Sequence, residues 1–238
     1  MQQVNDPLIN PKYELQLKRI GRLKTPVLVL DKVLADIDAV RRDAISKAFS
    51  VPEQDYYPGI RAETSEDYSI AILRLLNWLI KNHYELPVGL RMQPQLGEFS
   101  LLTTPESELN PLQCLPHIDF PGRYRFAVLH YLNEGDFDGT GFYRHKPTDL
   151  EQVTEPRAEE FFGYIQQHVK DPAVNTETYF TDTTNEFELL ETVDYRPDRL
   201  LVYPTTQLHS GYIQDVAKNL DSNPATGRLT ANFFIGFN

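Results

Sequence analysis

The sequence predicts a mainly β fold with supporting helices. Two observations lead there. From about residue 87 onward the chain breaks into short segments rich in β-branched and aromatic residues, bounded by Gly, Pro or Asp. Before that point, two longer stretches space their apolar residues at helical intervals. Many short strands at such spacing build a sandwich or a barrel.

The elements follow in order. Thr25 to Leu30 is a β-rich run, and Asp31 stands where a helix cap would. Apolar residues then fall at 33, 34, 37, 40, 44, 45 and 48, a helical stripe. Tyr57-Pro58-Gly59 reads as a turn-rich loop. A second helix is expected from about Asp67 to His83, with Tyr68, Ile72, Leu75, Leu76, Leu79 and Ile80 on one side. Both helices are expected to pack one face on a sheet. GLRMQPQL, EFSLLTT, YRFAVLHYLN, GTGFYRHK, FELLETV, RLLVYP, LHSGYI and RLTANFFIGF read as strands. EPRAEEFFGYIQQHVK interrupts them as a helix. The expected organisation is one domain over 1–238, with helical support over 26–86 and a β core over 87–238. An insertion at about 146–185 is expected either as a lid or as a helix packed outside the sheet.

The chain has 238 residues, 41% apolar and 24% charged, the profile of a globular protein with a sizeable core. Its net charge of -11 argues against nucleic acid or an anionic membrane as a main partner, since both need basic patches. No stretch reaches the roughly 18 apolar residues of a membrane span, and the N-terminus lacks the pattern of a signal peptide. A cytoplasmic protein is the expectation. Its one cysteine, Cys114, excludes an internal disulfide framework and a multi-cysteine zinc site.

In CLPHIDFPG, His117 and Asp119 are one residue apart. On a strand, positions i and i+2 share a face, so imidazole and carboxylate would project together. They make two thirds of a 2-His-1-carboxylate triad, which binds Fe(II) and keeps coordination positions open. A third ligand has to come from another segment. His83 ends a helix and His168 lies in the interrupting helix. His130 shares a strand face with Phe126, Val128 and Leu132, which suits a core histidine. His145 stands between Arg144 and Lys146, whose charges oppose a nearby dication. His209 follows an apolar strand and a turn and is the best candidate. Further on, alternation puts Arg228, Thr230 and Asn232 on one face of a strand and Leu229, Ala231, Phe233 and Ile235 on the other. An arginine there pairs with one of the 34 acidic residues, faces solvent, or meets an anion.

Taken in order, these pieces resemble the Fe(II)/2-oxoglutarate-dependent oxygenases of the prolyl-4-hydroxylase-like type. The resemblance rests on His117-x-Asp119, the strand AVLHYLN, the glycine turn into GTGFYRHK, the apolar strand leading to His209, and Arg228-x-Thr230. It covers roughly residues 97–238. It implies a double-stranded β-helix of jelly-roll or cupin-like form. It also implies Fe(II) on His117, Asp119 and His209, with 2-oxoglutarate as co-substrate and its distal carboxylate on Arg228 and Thr230. The implied activity is hydroxylation of a C–H bond. The substrate stays open among small molecules, amino acids, peptides and proteins. YPGIRA, LPHID and GFYRHK also resemble a narrower bacterial group, often encoded beside tryptophan-halogenase-like genes. The glycine turn Asp138–Phe142 is shorter than the family form, and the interval between Asp119 and His209 is long. Tyr57, Arg61, Tyr131, Asn133, Arg144 and His145 stand as further candidates around the site. Two rival readings use the same three ligands or the same fold. One is a metal-dependent hydrolase or cupin-like isomerase, and the other is a non-catalytic small-molecule-binding protein.

Overall fold

The computed structural model describes residues 6–52, 57–93, 97–171 and 177–238. The chain opens with strands β1 (Glu14–Ile20) and β2 (Thr25–Asp31), then helix α1 (Ile37–Ile45), strand β3 (Gly59–Glu63) and helix α2 (Glu66–His83). Strands β4 (Met92–Gln93), β5 (Glu98–Leu102), β6 (Arg125–Tyr131) and β7 (Thr140–His145) follow. Helix α3 (Glu155–His168) precedes β8 (Phe187–Val193), β9 (Arg199–Pro204) and β10 (His209–Gly211), and a short α4 (Val216–Asn219) precedes β11 (Leu229–Phe237).

The strands make two antiparallel sheets. The larger runs β1-β2-β9-β6-β11-β5-β3, with β4 pairing the end of β11, and the smaller runs β10-β7-β8. Strand alternation divides the larger sheet cleanly. Leu28, Leu30, Val128, Val202, Ala231 and Phe233 face Val40 and Ala44 of α1 and Ile72, Leu75 and Leu79 of α2. Val27, Val29, Ala127, Tyr131, Leu201 and Tyr203 face the other way, onto Phe142 and Val193 of the smaller sheet. Each buried Val, Leu, Ile or Phe among them contributes about 1.5–3 kcal/mol by leaving water. The two expected helices therefore do pack one face on a sheet. Polar residues are admitted to the core where they are bonded. His130 is the core histidine expected, held by the Tyr68 hydroxyl at 2.8 Å and the Asp198 carboxylate at 3.0 Å.

Three expectations need correction. The first helix starts later than Asp31 implied, because Asp36 caps it by accepting from the Ala39 N–H at 3.0 Å. The Asp31 carboxylate is instead taken by the Arg199 fork, at 2.6 and 2.8 Å. Residues 14–20 form an edge strand that the sequence did not signal, since Leu15 and Leu17 are exposed there. The loop at Tyr57-Pro58-Gly59 leads directly into β3. Gly59 is required at that point, because a Cβ would come within 2.0 Å of the Leu101 carbonyl oxygen across the pairing with β5. The end of the expected strand GLRMQPQL lies outside the described residues. No helix among the described residues is long and apolar enough to cross a membrane.

The registers set one cross-strand row that matters for the site. Arg61 on β3 stands beside Ser100 on β5, Ser100 beside Thr230 on β11, Thr230 beside Tyr131 on β6, and Tyr131 beside Arg199 on β9. The row lies on the face turned toward the smaller sheet.

Candidate metal centre

His117 and Asp119 do not sit on a regular strand. They follow a 3-10 turn, Pro111–Cys114, and lie in a segment tied to the one that leads into β10. The His117 N–H donates to the His209 carbonyl, the His209 N–H to the His117 carbonyl, each at 2.9 Å. The Asp119 N–H donates to the Thr205 carbonyl at 3.0 Å. The isolated bridge sets His209 against His117, and the bond from the Asp119 N–H to Thr205 brings Asp119 to the same cluster. One ligating atom from each of His117, Asp119 and His209 lies within 4.8 Å of the others. The two imidazole centroids are 4.5 Å apart, and His209 Nε2 is 3.8 Å from Asp119 Oδ2.

The electrostatics suit a cation. His209 Nδ1 is 3.0 Å from the Gln207 carbonyl, which fixes the Nδ1–H tautomer and turns the Nε2 lone pair to the cluster. The Leu115 carbonyl lies near the His117 ring and works against the lowering of its pKa. Desolvation inside the cluster lowers both imidazoles to a pKa of about 4 and keeps them neutral, and His209 adds to the effect at His117, which unlike buried His209 keeps one edge in solvent. Burial also raises the Asp119 carboxyl to about 6, ahead of the opposing influence of His117 and Arg61. Asp119 Oδ2 is buried with no hydrogen-bond partner among the described residues. A carboxylate oxygen in that state is costly, and a metal ion is the partner that two neutral imidazoles and a carboxylate would share. His117 remains exposed, so the cluster is open on one side.

Arg228 and Thr230 are buried on the face of the larger sheet that meets the smaller one. Arg228 Nε donates to the Asp138 carbonyl at 2.9 Å and one terminal nitrogen to that of Gly139 at 3.2 Å. Its guanidinium lies 5.6 Å from the Tyr131 ring centroid and 5.8 Å from that of Tyr195. Among the described residues no carboxylate pairs with it, and its second terminal nitrogen has no acceptor. The Thr230 hydroxyl contacts the Ser100 carbonyl at 3.4 Å and accepts from Asn232 at 3.2 Å.

The further candidates separate. Tyr131 lies under Arg228 and bonds Thr140 at 2.7 Å. Asn133 donates to the Pro224 and Gly227 carbonyls and so holds the entry to β11. Arg144 is engaged by Glu188 and Asp149. His145 is buried on the far side of the smaller sheet among Phe161, Tyr164 and Phe187, away from the cluster. The neighbouring cations were therefore not what excluded it. Arg61 pairs with Glu98 at 2.5 Å, stacks 4.6 Å from the Tyr57 ring centroid, and is close enough to draw down the Asp119 carboxyl. Tyr203 was missed: its ring is 4.8 Å from that of His209, and Asp119 helps to raise its hydroxyl pKa. The signal was available, since alternation in RLLVYP puts Tyr203 on the same face as Leu201.

The insertion between β7 and β8 places α3 on the outside. Phe161 and Ile165 bury against Leu115, Ile118, Tyr143, Phe187 and Leu208. After residues 172–176, the chain returns across loops near the site, where the Tyr179 hydroxyl donates to the Thr104 carbonyl at 2.6 Å and packs beside Leu102 and Ile213.

A model described as "Family of unknown function (DUF6445)" matches residues 11–235. No curated protein sequence matches the chain. Among solved structures, the chain is similar to HygX from Streptomyces hygroscopicus with nickel, 2-oxoglutarate and hygromycin B bound, at 16% identity over 89% of this chain and 83% of that one, with a TM-score of 0.46. It is also similar to the selenomethionine-labelled Fe(II)/(alpha)ketoglutarate-dependent dioxygenase TqaL, at 13% identity over 85% of this chain and 73% of that one, with a TM-score of 0.33.

Proposed function

We propose that this chain, which belongs to the family of unknown function DUF6445, is an Fe(II)- and 2-oxoglutarate-dependent oxygenase that hydroxylates a C–H bond. The observation that carries the reading is the convergence of His117, Asp119 and His209, with Asp119 Oδ2 buried and without a hydrogen-bond partner among the described residues. In this reading the two strand runs, β5-β11-β6-β9 and the His117 segment-β10-β7-β8, are the halves of a double-stranded β-helix.

His117, Asp119 and His209 would hold the metal, with the Gln207 carbonyl fixing the His209 imidazole. Bound there, Fe(II) with 2-oxoglutarate and dioxygen supplies oxidising power, yielding succinate, carbon dioxide and a hydroxylated substrate. Arg228 would take the distal carboxylate with its remaining donor, and Thr230 would add a hydroxyl. The Asp138 and Gly139 carbonyls hold the guanidinium in place, which lowers the entropy lost on binding. Tyr131 packs under Arg228 and Tyr203 against His209, and such walls would keep water from groups bound between them. The Arg228 and Thr230 pair argues against a hydrolase or isomerase on the same ligands.

The test is calorimetric titration of 2-oxoglutarate into metal-free and Mn(II)-loaded protein, with succinate release followed separately under Fe(II) and air. Binding that requires the metal supports the reading. Equal binding with and without metal, or a metal-loaded protein indifferent to 2-oxoglutarate, overturns it.

A further inference from the structure

Beside the candidate metal centre the structure forms a cavity of about 390 Å³, within the size range of small-molecule sites. Phe120, Arg123, Arg125, Glu155, Thr205 and Phe234 line it. Its wall is the segment that carries Asp119. The Asp119 and Phe120 N–H groups both donate to the Thr205 carbonyl, at 3.0 and 3.4 Å, and the Thr205 hydroxyl donates to the Phe120 carbonyl at 3.0 Å. Phe120 is an exposed aromatic, set edge-on to Phe234 at 5.4 Å. The Arg125 guanidinium lies 5.4 Å from the Phe120 ring centroid. Among the described residues neither Arg123 nor Arg125 pairs with a carboxylate. In a chain of net charge -11, two exposed arginines without a carboxylate partner at one cavity give that place a local surplus of positive charge. Glu155 also lines the cavity, without an ion pair to either arginine among the described residues.

We infer that this groove binds the substrate by an oxyanion, carboxylate or phosphate, held between Arg123 and Arg125 while an apolar part of the molecule rests on Phe120 and Phe234. The inference rests on the metal reading only for the claim that the bound molecule is the substrate of that centre. The groove sets it on the Asp119 side, and Arg228 serves the opposite end of the same sheet face.

The full-length protein is tested with benzoate, inorganic phosphate and neutral benzyl alcohol as probes, by ligand-observed NMR and calorimetry, with and without Mn(II). Benzoate or phosphate should bind more tightly than benzyl alcohol, and the Arg123→Gln/Arg125→Gln double variant should lose roughly tenfold of that affinity. Preference for benzoate over phosphate assigns the oxyanion to a carboxylate, and the reverse to a phosphate ester. Mn(II) should broaden the bound benzoate protons, which places the groove near the metal. Unchanged melting temperature and Mn(II) affinity in the double variant show that it is folded. Equal benzoate affinity in both proteins overturns the inference, as does absence of oxyanion binding by the native protein. Benzoate bound through the arginines but untouched by Mn(II) overturns the link to the metal centre. If Mn(II) itself does not bind while arginine-dependent binding persists, the anion site stands and the oxygenase reading falls.

Discussion

His117 and His209, separated by most of the β core in sequence, exchange two main-chain hydrogen bonds of 2.9 Å each. The two imidazoles are thus brought to 4.5 Å by one isolated backbone bridge at the start of β10. A ligand set fixed in this manner is pre-organised before any ion arrives.

Metal binding should therefore depend on His209 and not on His145. Anaerobic Fe(II) titration of His209→Ala is expected to show a loss beyond the roughly 10–100-fold typical of an outer-shell partner. His145→Ala should retain near-native affinity, because its ring lies among Phe161, Tyr164 and Phe187. The opposite result would reassign the third ligand.

Arg228→Ala should weaken 2-oxoglutarate binding to Mn(II)-loaded protein by about 2–5 kcal/mol, the usual cost of removing one side of a desolvated charge pair. Metal affinity should hardly change, since Arg228 contacts the Asp138 and Gly139 carbonyls and not the cluster. Calorimetry of both ligands checks this. Loss of metal along with co-substrate would make Arg228 structural.

His145 predicts an acid sensitivity of folding. Its ring is buried, Nε2 has no partner among the described residues, and burial lowers its pKa to about 4. A histidine whose folded value lies below its unfolded value of about 6.5 takes up its proton on unfolding. The protein should lose stability as pH falls from about 6.5 toward 4, on the order of 2 kcal/mol from this group. His145→Phe should flatten that part of the curve in urea denaturation. An unchanged slope would mean that the ring finds a charge-stabilising partner.

Helix α3 should behave as a fixed outer layer. Phe161 and Ile165 are buried against the smaller sheet, so amide exchange over Glu155–His168 should be slow and indifferent to metal, 2-oxoglutarate or benzoate. Exchange that slows only on ligand binding would make the helix part of a lid.

Local pattern in the sequence determined much of this protein. Period-two alternation placed Arg228 and Thr230 on one face of β11 and the apolar residues on the other, because successive side chains on a strand point opposite ways. It also identified His130 as a core residue, whereas His117 and Asp119 meet through their bonds to His209 and Thr205 rather than through strand alternation. Helical spacing located α2 to within a residue of its start. What alternation cannot state is which strand lies next to which, since pairing joins positions far apart in the chain. Only the tertiary structure decided that His209 lies against His117, that Arg61 and Tyr203 approach Asp119, and that Arg199 claims Asp31 from the cap position it resembled. The exposed edge strand β1 was equally silent, because a strand with no buried face of its own carries no hydrophobic pattern until β2 supplies its partner.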